Sequence, residues 1–228
     1  LITENCMLER VSTSATVLNI DTLDLTTTVP MPKVQVGMND LLYMIYTSGS
    51  TGQPKGASVY HRGEANLLAW YTQESGFTKT DKALVMSAIG FDLTQKNLCA
   101  LLTVGGTIVL PDTEHYDVPA LLTCIEQHGI TTLNCAPSAF YPLVELGGEQ
   151  ALVQLQSLRS VLFGGEPIHL KRLAPWIADD QFACSIVNMY GPTECTDIST
   201  FHNLSATALK DILDDALVGD VDIHLGTP

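Results

Sequence analysis

A chain of 228 residues with 46% hydrophobic and 16% charged content can bury a sizeable core, which excludes a disordered chain and predicts one compact soluble unit. Its net charge of −14, from 25 acidic against 11 basic residues, opposes an extended phosphate backbone, so nucleic acid is not an expected partner. A nucleotide is not excluded, because one local loop can hold a triphosphate with magnesium against an unfavourable overall field.

In chain order, the segment to about residue 32 carries one strand-like run at 16–20 inside polar sequence, followed by a Thr/Pro connector. From residue 41 onward, apolar runs alternate with amphipathic stretches. The expected strands are 41–46, 57–60, 83–88, 107–110, 131–135, 160–163 and 185–189, and the expected helices are 63–73, 93–104, 119–128, 138–145 and 169–178. Thr94 and Ser138 are the polar residues expected to start two of these helices. The acidic stretch 211–222, with Ile212, Leu213 and Leu217 at helical spacing, reads as a solvated surface helix. Together these elements predict an α/β fold with a largely parallel β-sheet covered by helices. The loops beginning at Ala136, Gly164 and Tyr190 each follow the carboxyl end of an expected strand, the edge where open α/β sheets bind ligands.

Cys6, Cys99, Cys124, Cys135, Cys184 and Cys195 form no Cys-x-x-Cys pair and no zinc-ligand spacing with His, so they read as small, mostly buried apolar residues in a reducing cytoplasm. His61, Cys135 and Cys195 lie near motifs but are assigned no chemistry. No apolar run is long enough to cross a bilayer and no signal peptide opens the chain, so no membrane role is expected. The chain has no initiator Met and stops at Pro228 without a tail, which reads as a piece of something longer.

The stretch Tyr46-Thr-Ser-Gly-Ser-Thr-Gly-Gln-Pro-Lys-Gly56 gathers glycines, hydroxyls and one lysine in a single loop. Gly49, Gly52 and Gly56 permit backbone turns that bring N–H groups to an anion. Thr47, Ser48, Ser50 and Thr51 add hydroxyl donors, and Lys55 adds a positive charge. This is not the common nucleotide P-loop, because Lys55 follows Pro54 and leads into a strand instead of opening a helix. Further along, Gly191-Pro192 forces a turn after a buried strand, exposing Tyr190 as an aromatic face for a purine and placing Thr193 and Glu194 within reach of a phosphate and its magnesium.

Thr47-Ser-Gly-Ser-Thr-Gly-Gln-Pro-Lys-Gly56 resembles the phosphate-loop signature of the adenylate-forming, AMP-binding superfamily, which includes acyl-CoA synthetases, luciferases and adenylation domains of nonribosomal peptide synthetases. Phe91-Asp-Leu-Thr94, Gly164-Gly-Glu-Pro167 and Asn188-Met-Tyr-Gly-Pro-Thr-Glu194 resemble three further elements of that family, in the family's order. The resemblance implies binding of ATP with Mg²⁺. Tyr190 would stack on adenine and Gly164 and Gly165 would pass its edge, with Glu166, Asn188 and Gly191 completing the nucleotide side. Thr193 would contact the α-phosphate, and Glu194 would help hold magnesium. The implied reaction is attack of a carboxylate oxygen on the α-phosphorus, which needs positioning and charge neutralisation and no side-chain nucleophile.

Within the superfamily, Asp92 resembles the carboxylate that meets the substrate α-ammonium in amino-acid-activating domains, since a carboxylate facing a desolvated pocket is costly without a cation. The family's pocket positions fall on Asp92, Leu93, Lys96, Asn134, Leu162, Gly164, Met189, Asp197 and Ile198. This mixed pocket suits a polar, glutamine- or glutamate-like side chain. If Lys96 pairs with Asp197 the pocket is neutral and favours an amide; if Lys96 is free it favours a carboxylate.

The implied partners are an amino acid, a phosphopantetheinyl carrier protein as acceptor, condensation domains and a small accessory protein. The expected organisation is a lead-in at 1–40, a motif-bearing core at 41–200 and the start of a following segment at 201–228. The family's small C-terminal subdomain with its lysine is not seen, so the piece alone is expected to adenylate poorly. An acyl- or aryl-CoA ligase of the same superfamily and a noncatalytic docking subdomain remain open as alternatives.

Overall fold

The apolar runs beyond residue 40 become strands because each is too short for a helix of useful length and is bounded by turn residues. The computed structural model describes the chain apart from residues 25, 27, 29, 31, 49–51, 114, 217–225 and 227–228, and apart from the side chains of 215 and 216. It divides into two units, Leu1–Val36 and Gly37–Pro228. In the first, β1 (Ile2–Thr3) pairs in parallel with β2 (Leu18–Asn19), and short 3₁₀ turns follow each strand. The run expected as a strand at 16–20 is thus reduced to two residues. Polar contacts hold it, among them the terminal amine donating to the Thr16 carbonyl at 2.8 Å and the Asn5 N–H donating to Asp21 Oδ2 at 2.7 Å.

The second unit opens with an antiparallel hairpin, β3 (Leu41–Thr47) and β4 (Lys55–Tyr60), followed directly by α1 (His61–Glu74). The chain then runs β5 (Lys82–Leu84), α2 (Asp92–Thr103), β6 (Thr107–Val109), α3 (Val118–His128), β7 (Thr132–Cys135) and α4 (Pro137–Gln154). It ends in β8 (Ser160–Gly164), α5 (Leu170–Ile177), β9 (Ser185–Tyr190), a 3₁₀ turn at Thr193–Cys195, β10 (Thr200–Leu204) and α6 (Ala206–Ala216). Among the described residues, six strands form one sheet in the order β10-β9-β8-β7-β5-β6, parallel throughout except for the antiparallel β9–β10 pair.

Both faces of the sheet are covered, which is why β7 is buried at every residue and β8 at all but its last. Side chains alternate across β8: Val161 and Phe163 join the core beneath α3, α4 and α5, whereas Leu162 joins Tyr71, Ala100, Leu101, Val187 and Met189 beneath α1 and α2. The order of strands reverses beside β5, with β6 on one side and β7 to β10 on the other. Such a switch point leaves a crevice at the carboxyl ends of the strands.

Several expected boundaries move for tertiary reasons. Neither Thr94 nor Ser138 starts its helix. The α2 helix begins at Asp92, whose Oδ1 accepts from the Leu93 N–H at 2.8 Å, while the buried Thr94 hydroxyl donates to the Ala88 carbonyl at 2.7 Å. The α4 helix begins at Pro137, and its cap comes from another loop: Glu166 accepts from the Ser138 N–H at 3.0 Å and from the Ser138 hydroxyl at 2.8 Å. This helix runs past the expected end at 145 to Gln154, with a non-helical break at Gly148 (φ 61°). The expected strand 83–88 stops at Leu84, where its pairing with β6 and β7 ends, although the Val85 N–H still donates to the Val109 carbonyl at 3.0 Å. The edge strand β10 has no counterpart in the sequence reading. The α6 helix starts earlier than expected, where the Ser205 hydroxyl accepts from the Ala208 N–H at 3.2 Å, and its Leu209 is fully buried. The remainder of the expected acidic helix, including Leu217, lies outside the described residues.

Candidate nucleotide and amino acid site

The hairpin fixes the ends of the Gly/Ser/Thr loop. Thr47 and Lys55 are paired across β3 and β4, and the Thr47 hydroxyl donates to the Lys55 carbonyl at 3.4 Å. Lys55 is exposed at the first residue of β4, Ser48 is exposed, and Gly52 takes a left-handed φ of 79°. Gly49, Ser50 and Thr51 lie outside the described residues.

At the carboxyl edge of the sheet, β8 ends in Gly164, and Gly165 follows with φ 84° and open space where a Cβ would stand. Bare backbone is therefore presented here, while the Glu166 carboxylate is engaged on the first turn of α4. Asn188 is buried in β9 and Tyr190, the last residue of that strand, is 52% exposed. The next turn is tightly built. A Cβ on Gly191 would overlap the Asp197 carbonyl oxygen, so only glycine lets the chain return this closely. Thr193 and Glu194 lie in the 3₁₀ turn, after which Thr196 and Asp197 take φ values of 65° and 71°. Two consecutive non-glycine residues in the left-handed region are strained, and the Ser199 N–H donating to the Tyr190 carbonyl at 2.9 Å closes the loop that holds them there.

That strained return aims the Asp197 side chain inward, where it pairs with the ammonium of Lys96, a residue only 1% exposed. The Lys96 nitrogen also stands 5.6 Å from the centroid of the Tyr71 ring. Burial pushes the Asp197 carboxyl above its ordinary range, with Lys96 pulling back. Asn134 is buried beside this pair and exchanges hydrogen bonds with Asn97, at 2.7 and 3.1 Å; its Oδ1 has no hydrogen-bond partner among the described residues. Leu162 and Met189 are covered members of the core beneath. Asp92 and Leu93 stand at the start of α2, at the switch point. The structure thus gathers Lys96 and Asp197 directly, with Asp92 near enough for its charge to act on Asp197.

A cavity of about 360 Å³ lies between α1 and residues 195–201, lined by Leu67, Trp70, Thr196, Ile198 and Phe201 among others. Of the residues expected in the pocket, Ile198 alone lines it. Sequence reasoning missed two polar residues altogether. Glu64 on α1 is 3% exposed, its Oε2 accepts from the Tyr43 hydroxyl at 3.3 Å, and its Oε1 has no partner among the described residues. Burial, then the charges of Glu64, Asp197 and Asp92, push the Tyr43 hydroxyl well above its ordinary range, so three carboxyl groups converge on this point. The signal was present in the spacing: Glu64, Leu67 and Tyr71 fall on one helical stripe, and an acid within a buried apolar stripe is out of place unless it has a task.

Among the described residues no helix is long and apolar enough to cross a membrane. Residues 4–221 match the family model described as AMP-binding enzyme. Among curated relatives, surfactin synthase subunit 2 of Bacillus subtilis (strain 168) is 34% identical over 164 residues, covering 70% of this chain and 4% of the relative. Bacitracin synthase 3 of Bacillus licheniformis is 34% identical over 179 residues, covering 78% of this chain and 3% of the relative. The nonribosomal peptide synthetase FmoA3, in a form bound to alpha-methyl-L-serine-AMP, superposes with a TM-score of 0.81 at 26% identity, over 100% of this chain and 24% of its own. Its AMPPNP-bound form gives 0.74 at 28% identity, over 88% and 21%. The chain spans only a small part of each of these proteins. The motif order, the mainly parallel sheet and these matches agree, and the chain belongs to the AMP-binding enzyme family, among the adenylation domains of nonribosomal peptide synthetases.

Proposed function

We propose that this chain forms the nucleotide- and amino-acid-binding core of a ligase that activates an amino acid with an amide side chain, glutamine being the natural candidate. The observation that carries the reading is the return from Gly191 to Asp197. One short segment offers Tyr190, Thr193 and Glu194 at the sheet edge and sends Asp197 to Lys96 inside. Nucleotide and side-chain recognition would then be coupled by a turn of seven residues.

In this reading, the exposed Tyr190 ring and the bare backbone of Gly164 and Gly165 receive the adenine. The hydroxyls and backbone of 47–52, with Lys55, cradle the β- and γ-phosphates. Thr193 meets the α-phosphate, and Glu194 is the carboxylate that would help hold magnesium, which would offset phosphate charge there. The amino acid's carboxylate oxygen forms a bond to the α-phosphorus while the bond to the bridging oxygen breaks, and pyrophosphate leaves with the electron pair. The residues supply orientation and offset the mutual repulsion of two anions. A carrier-protein thiol then attacks the adenylate carbonyl, forming a thioester and releasing AMP. Asp92 pairs with the α-ammonium.

The choice of an amide follows from the Lys96–Asp197 pair. A cation already matched by a buried carboxylate leaves a pocket without net positive charge, which favours an amide over a carboxylate. Amino-acid-dependent ATP–pyrophosphate exchange by the full-length synthetase that carries this chain, across a panel of amino acids, tests the reading. Glutamine should rank first, and Asp92→Ala should lower kcat/KM for it by on the order of a hundredfold or more, the cost of leaving the ammonium unpaired in a desolvated site. Exchange that ignores Asp92→Ala, or that prefers a carboxylic acid without an α-amine, overturns it.

A further inference from the structure

The Glu64 carboxyl is a buried ionisable group that the reading above leaves without a role. It sits on the α1 stripe that packs against α2, seven residues from Tyr71, whose ring stands beneath the Lys96 ammonium. Its neighbour Gly63 packs against the turn that carries Asp197: a Cβ there would approach the Thr196 hydroxyl to 2.8 Å. The titratable and charged groups acting on Glu64 are Tyr43 from the hairpin, Lys96 and Cys99 from α2, and Asp197 from the strained turn; Asp92 acts on Tyr43 and Asp197. One buried cation is therefore paired with one carboxyl group and lies within the field of a second. Asp197 takes the hydrogen bond, and Glu64 acts on Lys96 through the field while its own Oε1 stays unpartnered among the described residues.

We propose that Glu64 is a specificity-determining positioning residue, whose negative charge beside the Lys96–Asp197 pair offsets the ammonium and so excludes anionic side chains in favour of their amides. The inference rests on the amide reading of the pocket. A substrate carboxylate could bind only by drawing Lys96 away from Asp197, and an ionised Glu64 opposes its entry by direct repulsion at low effective dielectric. Burial raises the Glu64 carboxyl, opposed by the Tyr43 hydrogen bond and by Lys96, so Glu64 ionises later than an ordinary glutamate and its exclusion strengthens as pH rises.

The test is pyrophosphate exchange by the full-length synthetase that carries this chain, with glutamate and glutamine at pH 5 and pH 8.5. In the wild type the glutamate-to-glutamine ratio of kcat/KM should fall between the two values. Glu64→Gln, which keeps the shape and removes the charge, should raise the ratio at pH 8.5 by about tenfold and flatten its pH dependence, with KM for ATP unchanged. A ratio within twofold of the wild type at pH 8.5 overturns the proposal. If Glu64→Gln does not fold, Tyr43→Phe decides. Losing the hydroxyl that donates to Glu64 should move the midpoint of the ratio's pH dependence to higher pH, and an unmoved midpoint counts against Glu64. If another neutral polar amino acid proves to be the substrate, the glutamine reading fails alone, and the same ratio against the anionic counterpart still judges Glu64. If the substrate is apolar, both fail.

Discussion

Replacing Lys96 by Met keeps most of the apolar stem and deletes the ammonium, leaving Asp197 buried with its side chain 10% exposed and with Glu64 and Asp92 acting on it. Breaking one side of a buried ion pair costs about 3–5 kcal/mol, to which loss of the contact with the Tyr71 ring adds about 0.5–1 kcal/mol. Asp197 can escape part of this by taking a proton, so about 3 kcal/mol is expected at neutral pH. For a protein of this size that corresponds to roughly 6–12 °C in Tm. Without its cation, the folded-state pKa of Asp197 rises further above the unfolded value. Stability is then lost as pH climbs from the unfolded pKa toward the folded one, and the deficit of Lys96→Met should be smaller at pH 5 than at pH 8. Adding Asp197→Asn should restore about 2 kcal/mol, because the uncompensated charge goes with it. Thermal melts followed by near-UV circular dichroism, on the two single variants and the double, measure all of this. A deficit below about 1 kcal/mol that is independent of pH and strictly additive in the double variant would refute the pairing as the organiser of this pocket.

Two further expectations concern the scaffold. Burial alone would raise Asp81, but Arg159 at 2.6 Å, the Thr78 N–H and the Thr131 hydroxyl overcome it and hold the carboxyl down to about 2. A depressed carboxyl stabilises the fold above its unfolded pKa, and the contribution is lost as pH falls toward about 2. Asp81→Asn should therefore cost about 1–2 kcal/mol in urea unfolding at pH 7, after allowing for the 40% exposure of Arg159, and should flatten acid destabilisation below pH 5. Glu166→Ala removes the borrowed cap of α4 and should cost about 1 kcal/mol in the same assay; a change below about 0.3 kcal/mol would mean that solvent replaces the cap without loss.

Much of the site was written along the chain. The hairpin around 47–55 followed from an apolar run, a Gly/Ser/Thr loop with Pro54, and a second short run. The strand ends at Gly164 and Tyr190 followed from buried runs stopped by glycine or Gly-Pro, and those ends are where the sheet opens. The α2 helix was legible to within a residue, but its start lies at Asp92 and not at the expected Thr94. By contrast, β10 could not be read because Thr200–Leu204 has only one fully buried residue; antiparallel pairing with β9 makes it a strand.

Local features are encoded within a few residues, since turns, caps and periodicity depend on backbone torsions and on neighbours three or four positions away. From them the sequence alone determined the fold class, the order of most elements and the sheet edge where the motif loops lie. The state of the pocket is a different kind of fact. Whether Lys96 was free or matched depended on Asp197, 101 residues further on, and on a strained turn that only Gly191 makes room for. Glu64 looked like one acid among many until α1 packed its stripe against α2. Charges interact through space, and their energies are set by burial; distance along the chain specifies neither, so only the tertiary structure could decide which of these groups share a proton and a cation.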